Sequence, residues 1–406
     1  MKKYLAIVLA CALLLCLFAG CGQKQSTEGP QASSEASAPA DGSKTIKIGV
    51  FEPASGDNGA GGKQETLGIQ YANSVAPTVE INGETYNVQL VIVDNESSND
   101  KATTAAASLV SSGVSVVLGS YGSSVSIAGS DKFKEAGIPA IGVTCTNPAV
   151  TEGNTHYFRI CFLDPFQGTV LAKFAAKNFS AKKAYCLAKL GDDYSVGLCN
   201  YFKEAFTALG GEVQYETFPE GTSDYTSYVT NAKNYGADVF FAPVSTEAAS
   251  LIIDQVSSQG AKFPILAGDT WDSNVITSAA KGKNVEIYVT TFYQEGGNAE
   301  FDSGFKAWLN GNSTYLANNG GNDMISAVSA MGYDAYFTAL EAIKLAGSAD
   351  PKAINDALWK TTYDGVTGHI EFDQVNGDAV RSEAYVKQVD TASGNWKFVG
   401  IQTTAE

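Results

Sequence analysis

From Thr45 onward the chain alternates short apolar runs with helical stretches of roughly 10–15 residues. Residues 45–52 read as a strand, 62–76 as a helix, and 88–94 as a strand entered through Asn82-Gly83, a hairpin turn signal. A helix over 99–112 follows, with Asn99 or Asp100 at its start. Next come a buried strand over 114–119, a helix over 124–136 closed by Gly137, and a strand over 138–143. A second series begins near Phe166. It predicts helices over 166–178, 196–209, 225–235 and 246–259, with strands over 183–189, 212–218, 237–243, 263–268 and 285–291. Beyond Phe292 the pattern is mainly helical (299–309, 325–345, 351–361). It ends strand-like at 368–372, 384–390 and 396–401. Parallel neighbours need a crossover, so strands alternating with helices mean βαβ units and parallel sheets. Two such series in 406 residues, too many for one core, predict an α/β protein with two doubly wound domains. Ligands of such sheets sit outside the carboxyl ends of the strands.

The alternation is preceded by an address. Lys2 and Lys3 come before an apolar run over 4–18, then Ala19, Gly20 and Cys21, the order of a secretory signal. The run is shorter than the roughly 20 residues of a membrane span. Phe18-Ala19-Gly20-Cys21 resembles a bacterial lipoprotein cleavage box, with Phe18 where Leu is usual. The resemblance implies removal of residues 1–20 and a lipid on the Cys21 thiol; an ordinary signal peptide cut nearby is the alternative. Residues 21–44 are rich in Gln, Ser, Ala, Gly and Pro without apolar periodicity, and read as a flexible tether. A body tethered this way sits outside the cytoplasm, held to the membrane by its N-terminal lipid. Four cysteines remain: Cys145, Cys161, Cys186 and Cys199. An exported protein can pair them in three ways, or keep them as buried thiols. No C-x-x-C occurs, which disfavours zinc and redox readings.

Composition excludes several functions. With 43 acidic and 27 basic residues the formal net charge is −16, which repels phosphate backbones, so no nucleic-acid partner is expected. The two histidines, His156 and His369, lie far apart, which argues against His-rich metal sites and most His-based general-base chemistry, though not against every enzyme; no metal, cofactor or catalytic residue is assigned. Residues 56–63 resemble a phosphate loop but miss both the Walker and the G-x-G-x-x-G spacing, which leaves a flexible Gly-rich turn. Ser180 to Lys183 matches S-x-x-K without its partner motifs. Asp94, Glu96 and Asp100 lack the glycine and terminal glutamate of a calcium loop and read as a strand end and helix cap.

Four segments remain as binding candidates. At 117–124 a strand runs through Gly122 into Ser123 and Ser124 at a helix start, where free N–H groups and the macrodipole attract an anion; simple capping is the alternative. At 137–148 an apolar strand ends in Thr144, Thr146 and Asn147, a donor-rich loop or ordinary turn chemistry before Pro148. At 191–197 Tyr194 either closes over a ligand or caps a helix. At 265–272 Asp269 and Asp272 at a strand end suit an ammonium, with Trp271 as an apolar or cation–π wall, or else cap a helix ahead of Asn274.

Together these segments resemble type I periplasmic binding proteins, specifically the branched-chain amino-acid (leucine/isoleucine/valine) group of ABC importers. The matching stretches are Ser55-Gly56, 118–124, 137–148, 159–168, 192–197 and 267–272, within 45–401. The resemblance implies two doubly wound Rossmann-like lobes joined by a three-strand hinge, with crossovers near 163–166, 291–293 and 381–384. That places 45–164 and 293–382 in lobe 1 and 165–292 and 383–406 in lobe 2. It implies a monomeric, non-enzymatic lipoprotein that closes on a small amino acid and presents it to a permease and ATPase complex. Ser123, with the main chain of Gly122, falls at the family's carboxylate site, Thr146 at its second hydroxyl and Thr144 at a carbonyl for the ammonium. Tyr194 matches the tyrosine of the second lobe. Asp269 falls at the acidic ammonium partner, with Asp272 in reserve. Gly61 stands where relatives often carry an aromatic, which implies a roomier or differently lined pocket. A sensor module on the same fold, or a different ligand such as an amide, aromatic acid or polar amino acid, are alternative readings. A hydrolase built on Ser123 lacks a neighbouring base.

Overall fold

A computed structural model describes residues 44–404. The signal, the Cys21 lipidation site and all but the last residue of the tether lie outside the described residues. Twelve helices and two main sheets make up the described chain, with no helix among them long and apolar enough to cross a membrane.

The first sheet holds β1 (Lys44–Glu52), β2 (Thr78–Ile81), β3 (Glu84–Asp94), β4 (Val116–Leu118), β5 (Ala140–Gly142) and β6 (Tyr157–Arg159) in the order β2-β3-β1-β4-β5-β6. β1 pairs in parallel with β3 on one side and β4 on the other, and buries Ile46, Ile48, Val50 and Phe51. Successive connections thus leave β1 in opposite directions, which opens a crevice at the carboxyl ends of β1 and β4. The Asn82-Gly83 turn joins β2 to β3, with both residues at positive φ (53° and 82°) as that hairpin requires.

The second sheet holds β7 (Lys183–Lys189), β8 (Glu212–Phe218), β9 (Val239–Phe241), β10 (Ile265–Ala267) and β11 (Ile287–Thr291). A small β12–β13 hairpin (Thr362–Gly365, Gly368–Glu371) precedes β14 (Ala384–Asp390) and β15 (Asn395–Gln402), which complete the order β15-β14-β11-β10-β9-β7-β8. β7 is flanked by β8 and β9, so its crevice lies at the ends of β7 and β9. The fold is therefore the expected pair of doubly wound lobes.

Helices α1 (Gly59–Val75), α2 (Asn99–Ser111) and α3 (Ser123–Ala136) serve the first sheet, and α4 (Asp164–Phe179) begins the second series. α5 (Asp193–Ala208), α6 (Thr226–Tyr235), α7 (Thr246–Ser258) and α8 (Asn274–Ala280) follow, then α9 (Ala299–Asn310), α10 (Ser313–Asn318), α11 (Ala327–Ala346) and α12 (Pro351–Leu358). The chain passes between sheets three times. α4 places Val170 in the first core and Leu171 and Phe174 in the second. After β11, Phe292 returns to the first core and stacks on Phe162 of the preceding passage at 4.1 Å between centroids. Before β14, Arg381 donates from Nε to Ile160 O at 2.5 Å, tying the third passage to the first.

One expectation changes. The glycine-rich turn ends at Asn58, and Gly59 to Gly62 form the start of α1 rather than a flexible loop. These glycines serve close approach: a Cβ on Gly62 would lie 2.2 Å from Pro53 O, and one on Gly61 2.3 Å from Tyr121 Cζ. Of the two readings of Cys145, Cys161, Cys186 and Cys199, the structure holds the buried free thiols.

α1 and α11 meet through glycines of the same kind. A Cβ on Gly68 would fall 1.9 Å from Ser329 O, and one on Gly332 2.4 Å from Glu65 O. Overpacking of this type costs about 1–3 kcal/mol. Gly68→Ala is expected to lower unfolding free energy by that amount in urea melts; an unchanged midpoint would show that the helices part freely.

Candidate functional site

The two crevices face each other. Between them lies a cavity of about 260 Å³ whose wall includes Tyr121, Gly122, Ser123, Tyr194 and Thr270 at its buried end. Asp57, Lys189 and Glu220 stand at its more exposed end. The lobes touch across this seam. Tyr121 Oη donates to Thr270 O at 2.8 Å, Asn147 Nδ2 to Asp193 O at 2.7 Å, and Lys189 pairs with Asp57 at 2.7 Å. Ser124 Oγ accepts from Asp193 N at 2.8 Å, and Ser273 Oγ donates to Gln64 Oε1 at 2.8 Å.

On the first lobe, Gly122 is the extended N-cap of α3 and supplies no side-chain cap, so the helix start faces the cavity with its own N–H groups. Ser123 Oγ accepts from Asn147 N at 3.2 Å, which keeps its O–H as a donor and ties α3 to the next loop. That loop carries Thr144 and Thr146. Fully buried Arg159 holds it by donating to Cys145 O (3.0 Å) and Asn147 O (2.5 Å), on either side of Thr146, while its Nε pairs with Asp378 at 2.5 Å. Thr146 Oγ1 is buried without a hydrogen-bond partner. Thr144 Oγ1 donates to Glu65 Oε2 at 2.5 Å.

On the second lobe, Tyr194 lies in the first turn of α5 behind the Asp192 cap, and Asp269 follows β10. Asp269 Oδ1 accepts from Gln167 Nε2 at 2.8 Å and Tyr194 Oη at 3.0 Å; Oδ2 is buried and unpartnered. Gly268 makes this possible, since a Cβ there would lie 2.2 Å from Tyr194 Oη. Asp272 is different. Its Oδ2 accepts from Lys387 Nζ at 2.8 Å and Thr291 Oγ1 at 2.5 Å, a buried ion pair binding β11, β14 and the β10 loop. Asp272 also keeps one buried oxygen unpartnered, but its charge is met by Lys387, whereas Asp269 pairs with no cation among the described residues.

Trp271 is placed otherwise than on the cleft wall. Its ring is fully buried in the core of the second sheet and its Nε1 donates to Val244 O at 3.0 Å. The short 3₁₀ turn Asp269–Trp271 explains this: it sends Asp269 and Trp271 to different surroundings. Gln167, Glu65, Glu52, Asp164 and Tyr121 belong to the site without having been singled out. Gln167 lay in the matching stretch 159–168, and Tyr121 beside Gly122, but neither spacing nor residue type marked them.

The seam is acidic. Burial pushes the Asp269 carboxyl up to about 6 and that of Glu65 up to about 7. Burial also holds Glu52 and Asp164 well above the usual carboxylate range, with Glu65 adding to the effect at Glu52. Such groups keep their protons in the folded protein while the unfolded chain releases them. Stability they confer is full at low pH and lost as pH rises through about 6 and about 7. The Asp269→Asn variant is therefore expected to gain on the parent by up to about 1.4 kcal/mol per pH unit between about pH 4 and pH 6, and to keep a constant advantage above that, without ligand. Urea melts from pH 4 to pH 8 check this; a difference that does not change between pH 4 and pH 6 would contradict it.

Comparison with known proteins fits this geometry. The profile of the family described as "Periplasmic binding protein" matches residues 45–395. The "Leu/Ile/Val-binding protein homolog 2" of Brucella abortus is 31% identical over 343 residues, covering 81% of this chain and 86% of that protein. A solved leucine binding protein, LivK of Thermotoga maritima, superposes with a TM-score of 0.77 at 32% identity, over 88% of this chain and 99% of that one. The branched-chain amino acid transporter substrate binding protein LivJ of Streptococcus pneumoniae, solved with isoleucine, gives 0.74 at 27% identity, over 89% and 99%.

Proposed function

The chain belongs to the periplasmic binding protein family, and on that premise we propose that it is a lipid-anchored binding protein that captures a small amino acid by lobe closure and hands it to an ABC importer. The family consists of substrate-binding components of transporters rather than enzymes, and works outside the cytoplasm. Residues 45–164 with 293–382 form the lobe that takes the ligand's carboxylate, and 165–292 with 383–406 the lobe that takes its ammonium. Cys21 carries the lipid, and the partner is a permease with its ATPase. The protein acts as a monomer.

One observation carries the ligand class: a buried carboxylate oxygen, Asp269 Oδ2, lacks a partner in a seam whose opposite wall is the uncapped start of α3. A free amino acid answers both ends. Its carboxylate accepts from the N–H groups at Gly122 and Ser123 and from the Ser123 and Thr146 hydroxyls. Its ammonium donates to Asp269, whose other oxygen is already held by Gln167 and Tyr194. Neither lobe satisfies the ligand alone, so the ligand prefers the shut state and drives closure. No covalent step is involved.

Removing one partner of a buried charge pair costs about 2–5 kcal/mol of binding. Asp269→Ala is expected to weaken amino-acid binding by that amount in titration calorimetry while the fold persists by circular dichroism. Unchanged affinity would refute Asp269 as the ammonium site. X-ray scattering should report compaction on adding the ligand to the parent protein and none with the variant.

A further inference from the structure

We infer that the captured amino acid carries a polar side chain that donates N–H hydrogen bonds, an amide or a second ammonium, in place of a branched aliphatic one. The inference rests on the reading of the cleft as an amino-acid site and adds the chemistry of the side chain.

An aliphatic side chain needs an aliphatic wall, and none is formed around the seam. The inner flank is filled by Tyr121. Its ring occupies the space left by Gly61, where an added Cβ would lie 2.3 Å from Cζ. Its hydroxyl reaches across the seam to Thr270 O, next to Asp269, so the ring runs from the carboxylate end of the site to the ammonium end. Carboxyl groups lie around it. Glu52 Oε2 accepts from Tyr121 N at 2.7 Å and Glu65 Oε2 from Thr144, and the two carboxyl groups lie within hydrogen-bonding reach of each other. The inward flank is therefore a tyrosine ring among polar carboxyl groups rather than aliphatic surface.

The outward direction is equally polar. Among the described residues the cavity wall has two aliphatic side chains, Val125 and Leu190, and Leu190 is 63% exposed. Four carboxylates line it, Asp57, Asp100, Asp192 and Glu220, against one cation, Lys189, which Asp57 already engages. A leucine side chain placed here forfeits most of the gain from burying apolar surface, whereas an N–H donor finds acceptors. Tyr121 is thus a specificity-determining residue: it exchanges the volume of a glycine-and-aromatic pair across the cleft and leaves polar surroundings on both flanks.

Calorimetry of the ligand-stripped protein tests this with glutamine, asparagine, lysine and ornithine against leucine, isoleucine and valine. At least one of the first four is expected to bind about tenfold or more tightly than every branched-chain acid. A branched-chain ligand that binds as tightly as any of them overturns the inference and leaves the amino-acid site standing. If no amino acid binds, the site reading fails and the inference falls with it. The Asp100→Asn variant separates the two donors. Roughly fivefold weaker lysine or ornithine binding supports the ammonium form. Glutamine or asparagine binding held within about twofold supports the amide form.

Discussion

A buried carboxylate with no cation to meet its charge is the constraint around which most of the site is arranged. Asp269 has one oxygen held by Gln167 and Tyr194 and one left over. Burial raises its proton affinity to the point where it ionises only near pH 6. Glu65, Glu52 and Asp164 share the same interior, so nothing nearby relieves it. The buried cations are engaged elsewhere: Arg159 with Asp378 and the Thr146 loop, Lys387 with Asp272. The compensating charge has to arrive from outside, on the ligand.

Placing that carboxylate opposite an uncapped helix start follows from the topology. Each sheet reverses its strand order once, beside β1 and beside β7, and the loops that diverge there are the ones that meet across the seam. Neither crevice would be aimed at the other without the three passages between sheets. These are stiffened where they touch, by the Phe162–Phe292 stack and by Arg381 on Ile160. Arg159 does the same service one step nearer the ligand, fixing the carbonyls on both sides of Thr146 so that its hydroxyl points to a defined place. Specificity is thus built on backbone that is held from beneath.

The alternation of strands and helices made the two lobes legible in the sequence, because parallel pairing leaves no other way to read it. Asn82-Gly83 marked its hairpin for the same local reason. Site segments at strand ends were also legible, since hydroxyls and carboxylates closing an apolar run stand out. What escaped were relations between distant residues. Gly61 as a glycine in a flexible loop and Gly61 as the seat of the Tyr121 ring are identical in sequence; only the fold brings positions 61 and 121 together. Trp271 beside Asp269 promised a wall, yet a 3₁₀ turn sends the indole into the core. Asp272 and Asp269 differ in no local signal, and Lys387, more than a hundred residues away, decides between them.

Closure of the empty protein and closure of the loaded one then differ in sign. The contacts that join the lobes directly are mostly neutral hydrogen bonds, with one partly exposed ion pair, Lys189–Asp57. Each replaces bonds to water and contributes about 0.5–1.5 kcal/mol at most, the exposed pair less. Against them stands the desolvation of Asp269 and of the α3 start, which is larger for an ionised group than any one of these bonds. Without ligand the seam therefore has little reason to stay shut. A zwitterion reverses the balance, because its ammonium and carboxylate turn Asp269 and the α3 start into paired groups at a single stroke. Shifting a two-state equilibrium from 1:99 to 99:1 takes about 5.5 kcal/mol of differential affinity, within reach of one charge-assisted pair at each end. Strong closure contacts between the lobes would defeat this, since a protein that shuts by itself has no signal to give a transporter.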